Sequence, residues 1–575
     1  MANINRNLIR RVWALTREYW FSQEKWMARG LLAVIVALNL THVYILVLIT
    51  EWYNTFYNII QNYEKDKFFG SLGEFSVLAT ANIVVVVYQL YLRQMLEIKW
   101  RRWMTDRYLN TWLDDQNFYR MQLFDKRTDN PDQRISEDLR LFASTTLGLS
   151  LGLLKSVVTL GSFVLVLWGL SGPLAVFLGF TTVVIPGYLV WFALGYAIIG
   201  TWLTHKIGRP LIGLNFDQQR FEADFRFSLV RLRENSESVA FYRGEEQEHA
   251  GFGRRFSRVV HNFRQLMQRQ KQLTWFTAGY SQFALIFPFL VATPRYFAGE
   301  IKLGGLMQIS SAFGRVQDAL SFFVDSYTQL AEWRAVVNRL TGFIENMEGV
   351  KEAAASLETG IQVAGYGGPT FKVRDLDVRL PNGDLLLEKV NVELNAGDAL
   401  LVNGPSGAGK STLMRAFAGL WPFGSGVIDI PKQQKTMFVP QKAYLPLGTL
   451  REVLLYPDAT QSITESEIQE IMAQCRLEWL ADQLERVEDW SHVLSLGEQQ
   501  RIAFARVLLQ RPKWLFLDEA TSALDEATEK LLYKLVREKL KDSTIVSVGH
   551  RSTLNAFHSM KLTLEGEQGK WHMLR

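Results

Sequence analysis

Long apolar segments alternate with polar and basic ones over the first 340 residues of the chain. A helix needs roughly 20 mostly apolar residues to span the hydrocarbon core of a bilayer. Six segments approach or exceed this length, and they are 30–50, 75–92, 147–170, 174–203, 273–297 and 303–331. The pattern predicts six membrane-spanning helices, with a kink or tilt in the fourth, which contains Pro186-Gly187.

The rest of the chain has the shorter apolar runs of a soluble domain in which strands and helices alternate. We therefore divide the chain into a polar N-terminal segment, a membrane domain of α-helices, a linker and an α/β domain. The predicted boundaries are 1–29, 30–340, 341–360 and 361–575. Basic residues crowd the N-terminus and the segments after the second and fourth apolar runs, which predicts that both termini are cytoplasmic.

Composition excludes some classes of function. The net charge of +5 is small for 575 residues, and it does not suggest the concentrated basic face that nucleic-acid binding needs. The single cysteine, Cys475, rules out an intrachain disulfide. The N-terminal segment lacks the short apolar core and the cleavage site of a signal peptide.

The sixth apolar run is unusual because polar and charged residues recur along one helical face. They are Gln308, Ser311, Arg315, Asp318, Asp325 and Gln329. Ionisable side chains in the middle of a span are costly unless they face water or a partner. We predict that the first four line a water-filled cavity for a polar or charged substrate. The alternatives are a structural pair between Arg315 and Asp318, and a helix that projects beyond the bilayer.

The most specific motif begins at Gly404 and follows the pattern G-x-x-x-x-G-K-[ST] of a phosphate-binding loop. An apolar strand precedes it and a helical pattern follows it, which is the context that this motif requires. Backbone N–H groups of such a loop surround the phosphates, while Lys410 reaches the β- and γ-phosphates and Ser411 ligates Mg²⁺. We predict that ATP and Mg²⁺ bind at this P-loop, which consists of Gly404, Pro405, Ser406, Gly407, Ala408, Gly409, Lys410, Ser411 and Thr412.

A second motif ends in two carboxylates. The apolar run from Trp514 to Leu517 predicts a buried parallel strand, and Asp518 and Glu519 follow it directly. At the end of such a strand Asp518 would hold Mg²⁺, and Glu519 would polarise the attacking water as a general base. The place of this motif after the P-loop predicts a site that hydrolyses ATP.

Residues 494–501, with the sequence LSLGEQQR, open a predicted helix between these two motifs. The segment resembles the signature motif of ATP-binding-cassette (ABC) proteins, which is usually Leu-Ser-Gly-Gly-Gln. The resemblance implies that Ser495 and Gly497 present hydrogen-bond donors to the γ-phosphate that the opposite subunit binds. We assign Glu498 to the same nucleotide contact.

Three further residues match the ABC pattern in order. The resemblance implies that Gln441 senses Mg²⁺ and contacts the membrane domain, and that Asp525 belongs to the D-loop. It also implies that His550, which follows the apolar strand 544–548, contacts the γ-phosphate. Together with Glu519, we assign Gln441 and His550 to catalysis.

The sequence departs from the ABC pattern at three positions. Leu496 replaces the first glycine of the signature motif, and Glu498 replaces its final glutamine. Leu380 stands where an aromatic residue usually stacks on adenine, so selectivity for adenine over guanine is expected to be loose.

One chain carries one P-loop and one signature motif, and the ABC resemblance implies that the two bind a nucleotide from opposite sides. We therefore predict a homodimer with two hydrolytic sites and two sets of six membrane helices. Two cytoplasmic loops, near 127–140 and 222–245, are the predicted coupling surfaces between the membrane and ATPase domains.

Stretches within these loops, with GLWP at 419–422 and GTLR at 448–451, resemble peroxisomal fatty-acyl half-transporters of the adrenoleukodystrophy protein family. The chain is also similar to bacterial BacA/SbmA-related uptake proteins, to the YddA type and to mycobacterial cobalamin and hydrophilic-solute importers. The resemblance implies a bacterial inner-membrane transporter that imports peptides or other hydrophilic solutes. The alternatives are fatty-acyl or lipid-like substrates, export, and an ATP-gated sensor or channel.

Overall fold

The apolar segments of the first part of the chain form long helices, and the shorter apolar runs of the second part form a layered α/β structure. The computed structural model describes residues 2–124, 131–177, 182–355, 360–432, 434–458, 463–566 and 569–574. Two compact units divide the chain. The first comprises Met1–Asp114 and Thr128–Glu345, and the second comprises Asp115–Arg127 and Asn346–Arg575.

Helices of the first half differ widely in length. In chain order they are α1 (Ala2–Trp20), α2 (Lys25–Gln61), α3 (Lys65–Leu113), α4 (Asn117–Phe124), α5 (Pro131–Gln133), α6 (Leu139–Ser171), α7 (Tyr188–Glu234), α8 (Ser236–Tyr242), α9 (Glu245–Phe297), α10 (Leu303–Asp325) and α11 (Tyr327–Ala355). In the first unit, Phe163 of α6 and Phe313 of α10 belong to one buried apolar cluster. Tyr196 of α7 stacks on Tyr280 of α9 with 4.4 Å between ring centroids. Aromatic packing therefore joins helices that are distant in sequence.

Four helical segments of the described residues are long and apolar enough to cross a membrane. They are Lys25–Gln61, Lys65–Phe124, Pro131–Ser171 and Glu245–Phe297. The other two predicted spans correspond to α7 and α10, which are helices of 47 and 23 residues. The count of six membrane-spanning helices stays a prediction.

The predicted start of the fourth apolar helix near residue 174 is wrong. Strands β1 (Pro173–Phe177) and β2 (Thr182–Pro186) form an antiparallel hairpin there, and α7 begins only at Tyr188. The β-branched run 183–185 favours an extended strand. Gly187 then turns the chain with φ of 66°, and an added Cβ would lie 2.4 Å from the ring of Trp168, so only glycine fits.

A turn interrupts the predicted sixth run near its end. The turn at Ser326 separates α10 from α11, so Gln329 lies on a different helix from Gln308. The side chain of Asp325 lies outside the described part of the chain. Backbone hydrogen bonds from residue i to residue i−4 cross this turn, and the continuation of the polar face beyond α10 stays a prediction.

The second unit contains two sheets. A six-stranded sheet has the order β14-β13-β6-β12-β11-β8, and a four-stranded sheet has the order β3-β7-β4-β5. The strands are β3 (Gln362–Tyr366), β4 (Phe371–Arg379), β5 (Leu385–Leu394), β6 (Ala399–Asn403), β7 (Gly424–Pro431), β8 (Thr436–Val439), β11 (Trp514–Asp518), β12 (Thr544–Val548), β13 (Met560–Leu564) and β14 (Trp571–Leu574). A separate pair joins β9 (Gly448–Thr449) to β10 (Val487–Glu488).

Parallel pairing in the larger sheet determines where the motifs meet. Strand β12 pairs in parallel with β6 on one side and with β11 on the other. The carboxyl ends of parallel neighbours lie at the same edge of a sheet, where ligands of open α/β sheets bind. The loops after these three strands carry the P-loop, Glu519 and His550, so the fold gathers the predicted chemistry at one edge.

The remaining helices of this unit flank the sheets. They are α12 (Lys410–Phe417), α13 (Leu450–Leu455), α14 (Glu465–Gln474), α15 (Trp490–Val493), α16 (Leu496–Gln510) and α17 (Glu526–Lys539). Helix α4, from the first half of the chain, belongs to the same unit. Its Phe124 ring lies 5.1 Å from that of Phe423, and Leu123 packs against the core of the smaller sheet.

Two loops were predicted as coupling surfaces. Of the loop near 127–140, residues 127–130 lie outside the described part of the chain, and Arg134–Asp138 form a π-helix in the first unit. The loop near 222–245 covers the end of α7, α8 and the start of α9, where Phe241 and Tyr242 are 79% and 87% exposed. The coupling role of both loops stays a prediction, and α4 joins them as a candidate because it packs within the ATPase unit.

Candidate nucleotide-binding site

The P-loop connects β6 to α12 through glycines that no other residue could replace without strain. Gly404 has φ of 150°, and a Cβ there would lie 2.5 Å from the carbonyl oxygen of Leu564. Gly409 has φ of 92° and caps α12, whose first residue is Lys410. The free N–H groups at this helix start, with the positive end of the helix dipole, favour a phosphate.

Lys410 folds back over the loop that precedes it. Its Nζ donates to the carbonyl oxygens of Gly404 and Pro405, each at 3.0 Å. Burial lowers the pKa of Lys410, and the carboxylates of Glu519 and Asp518 act against that shift. The ammonium group is thus held where a bound phosphate would take over its hydrogen bonds.

Ser411 and Asp518 form the predicted Mg²⁺ position. The Ser411 hydroxyl donates to Asp518 Oδ1 at 3.0 Å, and burial raises the pKa of Asp518. One hydroxyl and one carboxylate are hard oxygen ligands, and Mg²⁺ typically completes its octahedron with phosphate oxygens and water. The residues therefore fit Mg²⁺ that arrives with ATP, and we propose that Ser411 and Asp518 hold it.

Glu519 contacts both of the other residues that were assigned to catalysis. Gln441 Nε2 donates to Glu519 Oε2 at 3.1 Å, and His550 Nε2 lies 3.4 Å from Glu519 Oε1. The backbone of Glu519 has φ of 47°, which is uncommon for a residue with a side chain. A carboxylate held at this strained turn by two neighbours is oriented before ATP binds, as a general base requires.

Ser495 begins the signature helix α16 as its N-cap. Within the described residues, no hydrogen bond or ion pair joins Ser495, Gly497, Glu498 or Asp525 to the P-loop. Asp525 instead caps α17, where Oδ1 accepts from the Thr528 N–H at 2.9 Å, and hydrogen bonds from Thr528 lower the pKa of Asp525. These four assignments therefore stay predictions that depend on a second copy.

Comparison with known proteins explains why these motifs occur together. The family description "ABC transporter transmembrane region 2" matches residues 15–297, and the description "ABC transporter" matches residues 387–522. The chain is 35% identical to the inner membrane ABC transporter ATP-binding protein YddA of Escherichia coli, over 95% of this chain and 96% of that protein. The chain belongs to the ABC transporter family.

Two more comparisons concern an ABCD relative and the fold of this ABC transporter. It is 26% identical to the human lysosomal cobalamin transporter ABCD4 over 90% of this chain and 88% of that protein. Its fold matches the structure of a bacterial Atm1-family ABC exporter with ATP bound, at a TM-score of 0.72 and 17% identity, over 94% of each chain. The protein is thus a membrane ABC transporter of the ABCD and YddA type, and its ATPase is coupled to transport.

Gln500 is a site residue that the sequence analysis missed. Its amide donates to the Gln441 carbonyl oxygen and to Ser522 Oγ, each at 3.1 Å, and its Oε1 accepts from the Ala523 N–H at 2.9 Å. This buried side chain thus ties the signature helix to the loop of Gln441 and to the D-loop of the ABC domain. Its place one helical turn after Gly497 could have identified it, because residues three apart share a face.

Gln500→Ala is expected to lower kcat for ATP hydrolysis about tenfold, with a smaller change in KM. The substitution removes three hydrogen bonds, each of which contributes about 1 kcal/mol, and it leaves the Gln441 carbonyl without its donor. Steady-state ATPase assays of the purified protein test this. Gln469→Ala is the matched control, because the hydrogen bond of the Gln469 side chain in the described residues lies within α14. Equal kcat values for both variants would show that the hydrogen bonds of Gln500 between the signature helix and the loop of Gln441 do not affect catalysis.

Leu380 lies at the predicted nucleobase position. Its N–H donates to the Asp384 carbonyl oxygen at 2.8 Å, and its side chain packs with Leu386 against the core of the smaller sheet. Leu386 also reaches the P-loop, where its Cδ2 lies 2.7 Å from the Cβ that Gly409 lacks. We propose that the base rests on these aliphatic side chains rather than on an aromatic ring.

Leu380→Tyr is expected to lower KM for ATP about tenfold, because stacking of a base on an aromatic ring contributes about 1–3 kcal/mol. The unmodified protein should hydrolyse GTP with a kcat/KM within about tenfold of that for ATP. ATPase and GTPase assays side by side measure both effects. A strong preference of the unmodified protein for ATP would contradict the aliphatic base contact.

Proposed function

We propose that the chain is a homodimeric importer of peptides or other hydrophilic, cobalamin-like solutes, located in a bacterial inner membrane. Similarity supports the location and the solute class, since one relative is named as an inner membrane protein and another as a cobalamin transporter. The homodimer is supported by the separation of functions within one chain. In the described residues Ser495 and Gly497 form no hydrogen bond with the P-loop of their own chain, which supports a site that a second copy completes.

Two of the four predicted cavity residues take part in helix packing. Gln308 accepts a hydrogen bond from Asn54 of α2 at 2.6 Å and is 7% exposed. Ser311 Oγ lies 3.3 Å from Thr50 Oγ1 on the same helix. These contacts hold α10 to α2 through polar groups, which is a common way to join helices inside a membrane.

The exposure of Arg315 and Asp318 is the observation that supports the polar-cavity proposal. Arg315 is half-buried and Asp318 is exposed on α10, and the ion pairs of the described residues include none between them. This favours the cavity over the structural pair as the reason for two charges in an apolar run. Charges that no packing contact requires are expected to face water or a solute.

Uptake by proteoliposomes tests the proposal. The purified transporter is reconstituted, ATP is supplied on the ATPase side, and entry or exit of labelled cobalamin, a labelled peptide and a labelled acyl-CoA is compared. Glu519→Gln serves as the control without hydrolysis. Accumulation of cobalamin or peptide supports import, whereas movement of acyl-CoA alone would contradict the hydrophilic substrate. Flux that persists in Glu519→Gln would indicate an ATP-gated channel instead.

Arg315→Ala is expected to change transport at least fivefold while basal ATP hydrolysis stays within about twofold, because a cavity charge acts on the solute and lies on a helix outside the ATPase unit. The same proteoliposomes supply both measurements. Gln317→Ala, at a buried neighbouring position of α10, controls for damage to the helix. Equal loss of transport and hydrolysis in Arg315→Ala would favour a structural role.

A further inference from the structure

The departure at Glu498 changes the chemistry of the signature motif. Glu498 Oε2 accepts from the Ser495 N–H at 2.9 Å and from the Ser495 hydroxyl at 2.7 Å, while the Glu498 N–H donates to Ser495 Oγ at 3.4 Å. The pair forms a capping box at the start of α16. Both donors of Ser495 are therefore engaged by a carboxylate of the same chain.

A phosphate that arrives at this helix end has to compete with that carboxylate. A phosphate oxygen only accepts hydrogen bonds, and the Ser495 hydroxyl has one proton to donate. To reach a γ-phosphate, the hydroxyl has to leave Glu498 Oε2. A negative charge already occupies the helix N-terminus where the negative phosphate would bind, so closure also brings two like charges together.

The charge of Glu498 is only weakly balanced. Among the ion pairs of the described residues, its cation is Arg501, whose Nη2 lies 3.7 Å from Oε1, beyond hydrogen-bond distance. The Arg501 guanidinium donates instead to the Arg476 carbonyl oxygen. The Glu498 side chain is 20% exposed, so solvent screens its charge only in part.

We propose that Glu498 is a positioning residue whose negative charge holds Ser495 away from phosphate and raises the ATP concentration at which two ATPase domains close. The inference rests on the proposed homodimer and goes beyond it, because it assigns to one side chain the control of the ATP concentration that closure needs. A purely structural cap would not need the charge, since a glutamine Oε1 at this position accepts the same two hydrogen bonds.

Glu498→Gln separates the charge from the cap. We expect KM for ATP to fall about three- to tenfold while kcat changes less than twofold. Because low salt screens the charge of Glu498 less, KM of the parent should rise at low salt, and this rise should be smaller in Glu498→Gln. Glu498→Ala removes the cap as well and is expected to lower kcat. Glu526→Gln, which neutralises an exposed carboxylate on α17, is the matched control and should leave KM and its salt dependence unchanged.

Closure itself is measured in the full-length protein with Glu519→Gln, so that bound ATP is not turned over. Lys541→Cys supplies an exposed site for a donor and acceptor dye, because the native Cys475 is buried. Energy transfer between two labelled copies reports closure as ATP is added. Adding Glu498→Gln should shift the half-closing ATP concentration three- to tenfold lower.

Two outcomes would overturn the inference. An unchanged or higher KM and half-closing ATP concentration in Glu498→Gln, with normal closure in the parent, would overturn the role of the charge and leave the homodimer intact. Absence of ATP-dependent energy transfer in the parent, together with a monomeric size in detergent, would overturn the homodimer and with it this inference.

Discussion

Glu519→Gln is expected to lower steady-state ATP hydrolysis by at least about 100-fold while ATP still binds. Loss of a general base typically costs a factor of 10² to 10⁴ in rate, and glutamine keeps the size of the side chain and one acceptor oxygen for Gln441. The variant should therefore accumulate with ATP bound between two closed copies. Phosphate release at saturating ATP measures the rate, and retention of labelled ATP after gel filtration measures the trapped state.

Lys410→Ala gives the contrasting result for the same site. Without the ammonium group the P-loop loses its charge for the β- and γ-phosphates, so both retention of ATP and hydrolysis should disappear. For Glu519→Gln, the control is again Glu526→Gln, which neutralises another carboxylate in the same unit. Normal turnover in Glu519→Gln would remove the general-base role, and normal turnover in Lys410→Ala would show that the P-loop is not where ATP is hydrolysed.

Much of the arrangement of the candidate nucleotide site could be predicted because its motifs are local, while the roles of its residues stay predictions. The Gly404 to Thr412 spacing requires a strand before it and a helix after it, and β6 and α12 supply both. The parallel order of β6, β12 and β11 then brings Lys410, Glu519 and His550 to one edge, as three separate segments of sequence imply. The family, the fold class and the coupling of ATP hydrolysis to transport are confirmed by the comparisons.

The features that were missed depend on contacts between distant segments. The hairpin of β1 and β2 was taken for the start of a helix because an apolar β-branched run satisfies both patterns. The network around Gln500 joins residues 441, 500 and 522. Helical spacing can single out Gln500, but the sequence does not show that its amide bonds to the loop of Gln441 and to Ser522. Helix α4 was assigned to the membrane domain because only its packing against Phe423 shows which unit it joins.

The π-helix of Arg134–Asp138 also escapes sequence patterns, and it presents a carboxylate with a large expected effect on stability. The Asp138 side chain is 2% exposed and accepts three hydrogen bonds from two guanidinium groups. Arg339 of α11 donates through Nη2 at 2.6 Å and through Nε at 2.9 Å, and Arg134 donates through Nη1 at 2.9 Å. Asp138→Ala is expected to destabilise the first unit by about 3–5 kcal/mol, because it leaves two partly buried cations without their counter-charge.

Unfolding of the purified transporter at a fixed heating rate measures this effect as a lower midpoint, together with a shorter half-life at constant temperature. Glu137→Gln is the comparison variant, since this adjacent carboxylate is exposed, accepts a hydrogen bond from Gln133 and acts on Arg339 only through its charge, so a much smaller change in the midpoint is expected. The double variant Asp138→Ala with Arg339→Ala should be less destabilised than the two single effects added together, because residues in one ion-pair network couple. Additive effects, or a midpoint for Asp138→Ala equal to that of Glu137→Gln, would show that the buried pair does not hold α11 to the π-helix.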